Sequence, residues 1–262
     1  MMNPPNGAEL QSRCDQLRSL HTPGEPLLLP NAWDVATARA VVAAGFPVVA
    51  TTSWGVAATL GHEDDERAPA DEMLAAAARI ARGVEVPVTV DAEAGYGMEP
   101  ADVVAALRNA GAAGCNLEDT DNAAGVLRDP RERAAWFAAV REAAAADDYP
   151  LVINARVDPF LRPYVAGADP STQIELVPDA VERANAYLEA GADCVYPVAL
   201  WEPKALSQFM AEVDGPVNVS VVPELASLEE VAALGVARLS WAIFLFEEAM
   251  ARFQEQLSTL RT

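Results

Sequence analysis

Three acids stand where two apolar runs stop. VTVDAEAGYG places Asp91 and Glu93 just beyond Val88–Val90, and GCNLEDTD places Glu118 at the end of the next run. Side chains two apart on an extended segment point the same way, so Asp91 and Glu93 share a face and Glu118 tops the neighbouring segment. Three carboxylates in one cleft cannot all stay ionised without a counter-charge. A hard divalent cation with oxygen ligands, Mg2+ or Mn2+, supplies it. The alternative is that each acid begins a solvated loop. Gly95-Tyr96-Gly97, which lets the backbone approach a ligand closely, favours a site.

A cation ends another run. INARVD carries Arg156, with Asn154 two residues behind it on the same face. The planar guanidinium fork suits a carboxylate or phosphonate, and a chain of net charge −21 needs a local cation to hold an anionic substrate. Its other candidate partner is Asp158. By the same alternation Asn116 and Gly114 face with Glu118, whereas Cys115 and Leu117 face the opposite side. Cys115 therefore reads as a small buried hydrophobe and not a nucleophile. His21 and His62 fall in no Ser/His/Asp or metal-like arrangement, and both read as solvated loop residues.

These residues need a frame that aligns strand ends. Short β-rich runs at 27–29, 47–52, 87–91, 114–118, 151–155, 194–197, 217–221 and 238–241 alternate with Ala-rich helical stretches at 35–44, 70–82, 100–110, 130–146, 178–190 and 228–233. Glycines 45, 111, 191 and 235 close four of the helices. Eight such units predict an α/β fold, a (β/α)8 TIM barrel over residues 1–262 as one domain, whose active site forms at the C-terminal strand ends. An extra N-terminal helix near residues 8–20 is expected to cover the barrel bottom. A C-terminal helical extension, 242–260, carries Ile243, Leu245, Phe246, Met250 and Phe253, and self-association through it as a dimer or tetramer is expected.

Composition narrows the function classes. The charge of −21 over 262 residues argues against nucleic acid and anionic membranes as partners. No apolar stretch approaches the roughly 20 residues a bilayer needs, and the first residues lack a signal-peptide pattern, so the expected location is the cytoplasm. The three cysteines, Cys14, Cys115 and Cys194, have no paired spacing and are expected to be free thiols. Lys204 is the single lysine, so a Schiff-base mechanism would have to use it.

Taken in order, PNAWDVATA, VVATTSWGVAATLGHED, VPVTVDAEAGYG, GAAGCNLED, VINARVD, GADCVYP, PVNVSV and LGVARLSWA resemble the isocitrate lyase/phosphoenolpyruvate mutase superfamily. The resemblance implies Mg2+ held directly or through water by Asp91, Glu93 and Glu118, with Asp64 of LGHED joining that shell. It implies that Thr52, Ser53 and Trp54 grip a substrate carboxylate, and that Arg156 and Asn218 contact the substrate. Members cleave or form carbon–carbon or carbon–phosphorus bonds beside a 2-oxo acid through a metal-bound enolate. Two departures stand out. The loop after Glu118, DTDNAAGVLRDP, lacks the lyases' Lys-x-Cys-Gly-His stretch, and Arg128 and Val198 stand where the mutases carry lysine and histidine. The expected function is a Mg2+-dependent lyase acting by decarboxylation or retro-aldol cleavage on a small 2-oxo or 2-hydroxy dicarboxylate, with Arg156 and Glu118 in the chemistry. The rivals are a carbon–phosphorus bond enzyme and a metabolite-binding protein without catalysis.

Overall fold

In the computed structural model, which describes residues 7–225 and 227–260, the strands in chain order are β1 (Leu27–Leu29), β2 (Asn31–Ala32), β3 (Val49–Thr51), β4 (Val88–Asp91), β5 (Gly114–Glu118), β6 (Thr120–Asp121), β7 (Val126–Leu127), β8 (Val152–Val157), β9 (Cys194–Pro197), β10 (Asn218–Ser220) and β11 (Arg238–Ser240). The outermost residues of the predicted 1–262 domain lie outside the described residues. Each of the eight predicted runs contains a barrel strand. β1 and β2 are two halves of the first one, separated by Pro30, which has no N–H to give a ladder.

That break lets the first strand change partners. β1 pairs in parallel with β11, and β2 pairs in parallel with β3. From β3 the parallel order runs through β4, β5 and β8 to β9, a bridge from Val195 to Val217 joins β9 to β10, and β10 pairs with β11. Asn31 stitches the change of partner. Its Nδ2 donates to the Thr51 carbonyl at 2.9 Å and its Oδ1 accepts the Trp241 N–H at 2.8 Å. The barrel is thus closed, with helices outside and no free sheet edge.

The helices are α1 (Gly7–Ser19), α2 (Val35–Ala43), α3 (Ser53–Leu60), α4 (Ala70–Ala81), α5 (Pro100–Ala110), α6 (Pro130–Ala146), α7 (Leu161–Val165), α8 (Gln173–Glu189), α9 (Pro203–Glu212), α10 (Leu228–Ala233) and α11 (Phe244–Thr259). The four predicted glycine stops all take left-handed backbone. No described helix is long and apolar enough to cross a membrane.

α1 closes the barrel bottom as expected, burying Leu10, Cys14 and Leu17. Leu17 fits because Gly114 lacks a side chain: a Cβ there would fall 2.7 Å from Leu17 Cδ2 and 2.8 Å from the Val152 carbonyl. Arg18 fastens the helix, donating to Asp193 at 2.9 Å and to the Pro150 carbonyl at 3.0 Å. All three cysteines are free and buried, and burial pushes each thiol up to about 12.

Three expectations need correction. α8 starts at Gln173, before Pro178, because the Gln173 amide ties the helix start to the loop after β9: Nε2 donates to the Ala199 carbonyl, and Oε1 accepts from the Trp201 and Glu202 N–H groups. His21 is not solvated. Its Nδ1 lies 2.8 Å from the Leu17 carbonyl, its Nε2 is buried without a partner, and burial aided by Arg238 lowers its pKa to about 4. The residues after the second strand form α3, where the sequence predicts no helix between 44 and 70. The C-terminal helix is present, and its outer face leaves Met250, Phe253 and Leu257 exposed, while Phe246 packs edge-on to Trp33 at 5.1 Å.

Two outcomes follow for stability. Gly114→Val should destabilise the fold by about 1–3 kcal/mol, the usual cost of overpacking, in urea unfolding. For His21 the folded pKa lies below the unfolded one, so between about pH 6.5 and 4 the unfolded chain takes up a proton that the fold refuses. Its contribution is intact above that window and declines as pH falls through it. His21→Gln should therefore flatten the loss of unfolding free energy from pH 6.5 to 4 relative to wild type.

Candidate active site

A cleft of about 520 Å3 opens at the C-terminal ends of the barrel strands, and its walls differ in chemistry. Asp64, Asp91 and Arg156 lie on one side; Tyr196, Ser220 and Ser240 come from the last three strands.

Asp91 ends β4. Its N–H donates to Thr51 Oγ at 2.8 Å and its carboxylate accepts the Ser53 N–H at 3.2 Å, so the start of α3 aims a backbone donor at it. Thr52, Ser53 and Trp54 all line the cleft there. Asp64 arrives from the loop after α3 near the Ser53 side chain, which favours its charged form, while its Oδ1 is buried without a partner. Burial, and then Asp91, push Asp64 up to about 6.

Glu93 joins this group by a route that strand alternation did not foresee. β4 stops at Asp91, and Glu93 takes left-handed backbone at φ 48°. Its side chain is buried in a clasp between two loops, with Oε1 accepting the Glu66 N–H at 2.6 Å and the Glu66 carboxylate accepting the Tyr96 N–H. Burial, with the charges of Asp64 and Asp91, pushes Glu93 up to about 8. Glu118 is also buried, behind the wall. It pairs with Arg156 and accepts from Asn122 Nδ2 at 2.7 Å.

The four acids expected around a metal fall into two pairs. Asp64 and Asp91 reach the cleft, whereas Glu93 and Glu118 are engaged by protein donors one step behind. Among the described residues no three His, Cys, Asp or Glu side chains are already gathered around one point. A divalent cation nevertheless fits the chemistry here: a buried carboxylate oxygen lacks any donor, and burial together with mutual repulsion raises Asp64 and Glu93 above the usual carboxylate range.

Arg156 pairs with Asp158, the partner weighed against a substrate, and it also lines the cleft. Its Nε and Nη2 grip Asp158 at 2.7 and 3.0 Å, and Nη2 also meets Glu118, yet the residue still lines the cleft. Burial works against its charge; Asp158 and Glu118 outweigh this and hold its pKa well above the arginine range. Asp158 in turn accepts from Thr120 Oγ at 2.6 Å, and its N–H donates to Asp119, a buried acid bound by Arg183 and Tyr187. The loop after Glu118 is thus no bare gate. β6 and β7 form an antiparallel hairpin across it.

Asn218 is not on the cleft wall. It is fully buried, with Nδ2 donating to Ser240 Oγ at 3.1 Å, so it supports Ser240 rather than touching the cleft. The sequence reading missed Tyr196, Ser220, Ser240 and Asn31, all cleft-lining, and Arg162, whose guanidinium lies over Gly125 of the hairpin. A signal for Tyr196 existed, because it ends the sixth run in GADCVYP. Strained backbone marks the same region. Asp65, Glu66, Glu93, Tyr96, Ala199 and Ala242, in the loops that rim the cleft, all have positive φ. Such conformations cost about 1 kcal/mol or more each and concentrate at functional sites.

The clamp predicts that Arg156→Met, which strands two buried acids, lowers the unfolding free energy at neutral pH by about 3–5 kcal/mol in denaturant titration. Comparison with known proteins agrees with this geometry. The family model for phosphoenolpyruvate phosphomutase matches residues 17–261. A protein of Mycobacterium tuberculosis of uncharacterised function is 39% identical over 225 residues, covering 84% of this chain and 79% of that protein. A Corynebacterium glutamicum protein named probable 2-methylisocitrate lyase 2 is 33% identical over 256 residues, covering 93% and 79%. The crystal structure of a Burkholderia cenocepacia protein provisionally assigned as a phosphonomutase superposes with a TM-score of 0.88 at 39% identity, covering 95% of this chain and 99% of that one. A barrel mouth with acids on the third and fourth strands, an arginine on the fifth and this likeness along nearly the whole chain place the protein in the isocitrate lyase/phosphoenolpyruvate mutase superfamily, a group of lyases and mutases that act on small carboxylates.

Proposed function

We propose that this chain, as one barrel domain, is a Mg2+-dependent carbon–carbon lyase acting on a small 2-oxo or 2-hydroxy dicarboxylate, by decarboxylation or retro-aldol cleavage through an enolate. The observation that carries the reading is the pairing of a donor-poor acidic wall, Asp64 and Asp91, with a clamped cation, Arg156, in one cleft. The acids suit a metal, and the arginine suits the substrate's carboxylate.

Asp64 and Asp91 would hold Mg2+, with Glu93 and Glu118 behind them. Bound there, Mg2+ supplies positive charge beside an oxygen that becomes anionic as the bond breaks. Arg156 and the Thr52–Trp54 turn orient the carboxylates, and the hairpin and α7 narrow the mouth and limit water. No cysteine, lysine or histidine lines the cleft among the described residues, a set that suits decarboxylation or a short retro-aldol step better than chemistry needing a strong loop acid. The exposed Met250, Phe253 and Leu257 of α11 support a homo-oligomer built through that helix.

The test is product release by purified protein with Mg2+, offered oxaloacetate, dimethylmalate, methylisocitrate and phosphonopyruvate. One of the first three should yield pyruvate or a close analogue, EDTA should abolish the yield, and Asp91→Ala should cut it by about 10²-fold or more, the scale of losing one transition-state stabiliser. Turnover of phosphonopyruvate alone would transfer the assignment to carbon–phosphorus chemistry. Turnover indifferent to both EDTA and Asp91→Ala would sink the metal reading.

A further inference from the structure

The wall of the cleft built by the last three strands has no place in the reading so far. Tyr196, Ser220 and Ser240 line it, and all three side chains are buried. The Tyr196 hydroxyl lies 2.7 Å from Ser220 Oγ, and Ser240 Oγ stands nearby, paired with Asn218. Strand register places Tyr196 directly beside Arg156, and Ser220 beside Ser240, so the hydroxyls and the guanidinium occupy neighbouring places around one cavity.

We propose that Tyr196 is the proton donor of this site, delivering its phenolic proton to the carbon left as an enolate when the substrate's carbon–carbon bond breaks. The proposal rests on the enolate reading above. In the step, the Tyr196 O–H bond breaks and a C–H bond forms at the enolate carbon. The enolate electrons return to a C=O bond, and a phenolate remains. The Ser220 hydroxyl donates to that phenolate, the nearby Arg156 charge favours it, and solvent water returns the proton.

Two further observations support the assignment. Among the described residues that line the cleft, the acidic O–H groups are the phenols of Tyr196 and Tyr164, and Tyr164 lies at the mouth beside Glu224 and Glu247. Burial holds the Tyr196 phenol above its ordinary value, so it carries its proton at neutral pH. Val198, Val222, Ile243 and Phe244 add apolar lining to the same cleft, which limits the water that competes for the enolate.

The test follows the methyl protons of pyruvate in D2O by NMR, with Mg2+ present, because exchange needs the same enolate and the same donor without a cleavage step. Wild type should exchange them. Tyr196→Phe should slow exchange by about 10²–10⁴-fold, the range of a lost general acid, while calorimetric binding of pyruvate stays within about threefold and the melting temperature stays close to wild type. Exchange by Tyr196→Phe at the wild-type rate would overturn the assignment and leave the enolate reading standing. Binding of pyruvate by wild type with no exchange would overturn the enolate reading itself, and the donor with it. If Tyr196→Phe does not fold, Ser220→Ala serves instead: it keeps the phenol but removes its partner, and should shift the alkaline limb of the exchange pH profile, whereas an unmoved limb counts against Tyr196.

Discussion

The barrel mouth depends on one buried guanidinium. Arg156 lies between Glu118 and Asp158, acids that end neighbouring strands and are both almost without solvent contact. Left alone, two such acids would repel each other and resist burial; with the cation between them they fix the ends of β5 and β8 in one geometry. The consequences spread outward. Asp158 holds Thr120 at the base of the hairpin, its N–H reaches Asp119, and Arg183 ties Asp119 to the Arg128 carbonyl where the hairpin returns. The loop that carries lysine or cysteine chemistry in better-known relatives is here held by charge and backbone.

This clamp also explains why the acids are not equivalent. Glu118 has a cation and Asn122, and Glu93 has the backbone N–H of Glu66, so both are engaged within the protein. Asp64 is not, and Asp91 shares only what the start of α3 and its own strand provide. The two acids with spare coordinating capacity are therefore the two at the cleft. Two of the acids are thus tied into the fold and two line the cleft, and the surrounding loops carry residues in strained, positive-φ backbone.

The opposite end of the barrel is governed by packing. Gly114 makes room for Leu17, the arginines of α1 cap carbonyls around the rim, and His21 is held neutral at the edge of this plug. Pro30 and Asn31 settle how the cylinder closes, and Asn31 appears again on the cleft wall, so closure and site share a residue. A rigid bottom and a stitched seam let the C-terminal ends carry irregular, strained loops without loss of the fold.

What the sequence determined by itself is periodic and local. Alternating β-rich and Ala-rich runs, closed by glycine, specify a parallel barrel, and the residue at the end of each run names Asp91, Glu118 and Arg156 as the groups at its mouth. Strand parity correctly turned Cys115 away from the cleft. Parity failed at Glu93 because it holds only while the chain stays extended, and a left-handed residue ends that rule. Asn218, Tyr196 and His21 were settled only by the closed barrel. Their roles depend on hydroxyls, carbonyls and charges contributed from distant parts of the chain: Ser240 for Asn218, Ser220 and Arg156 for Tyr196, Leu17 and Arg238 for His21. Burial and hydrogen bonding are properties of a site after all its walls have met, so the acidic half, written into two strand ends, was legible in advance, while the hydroxyl half existed only once the last strands came round to face it.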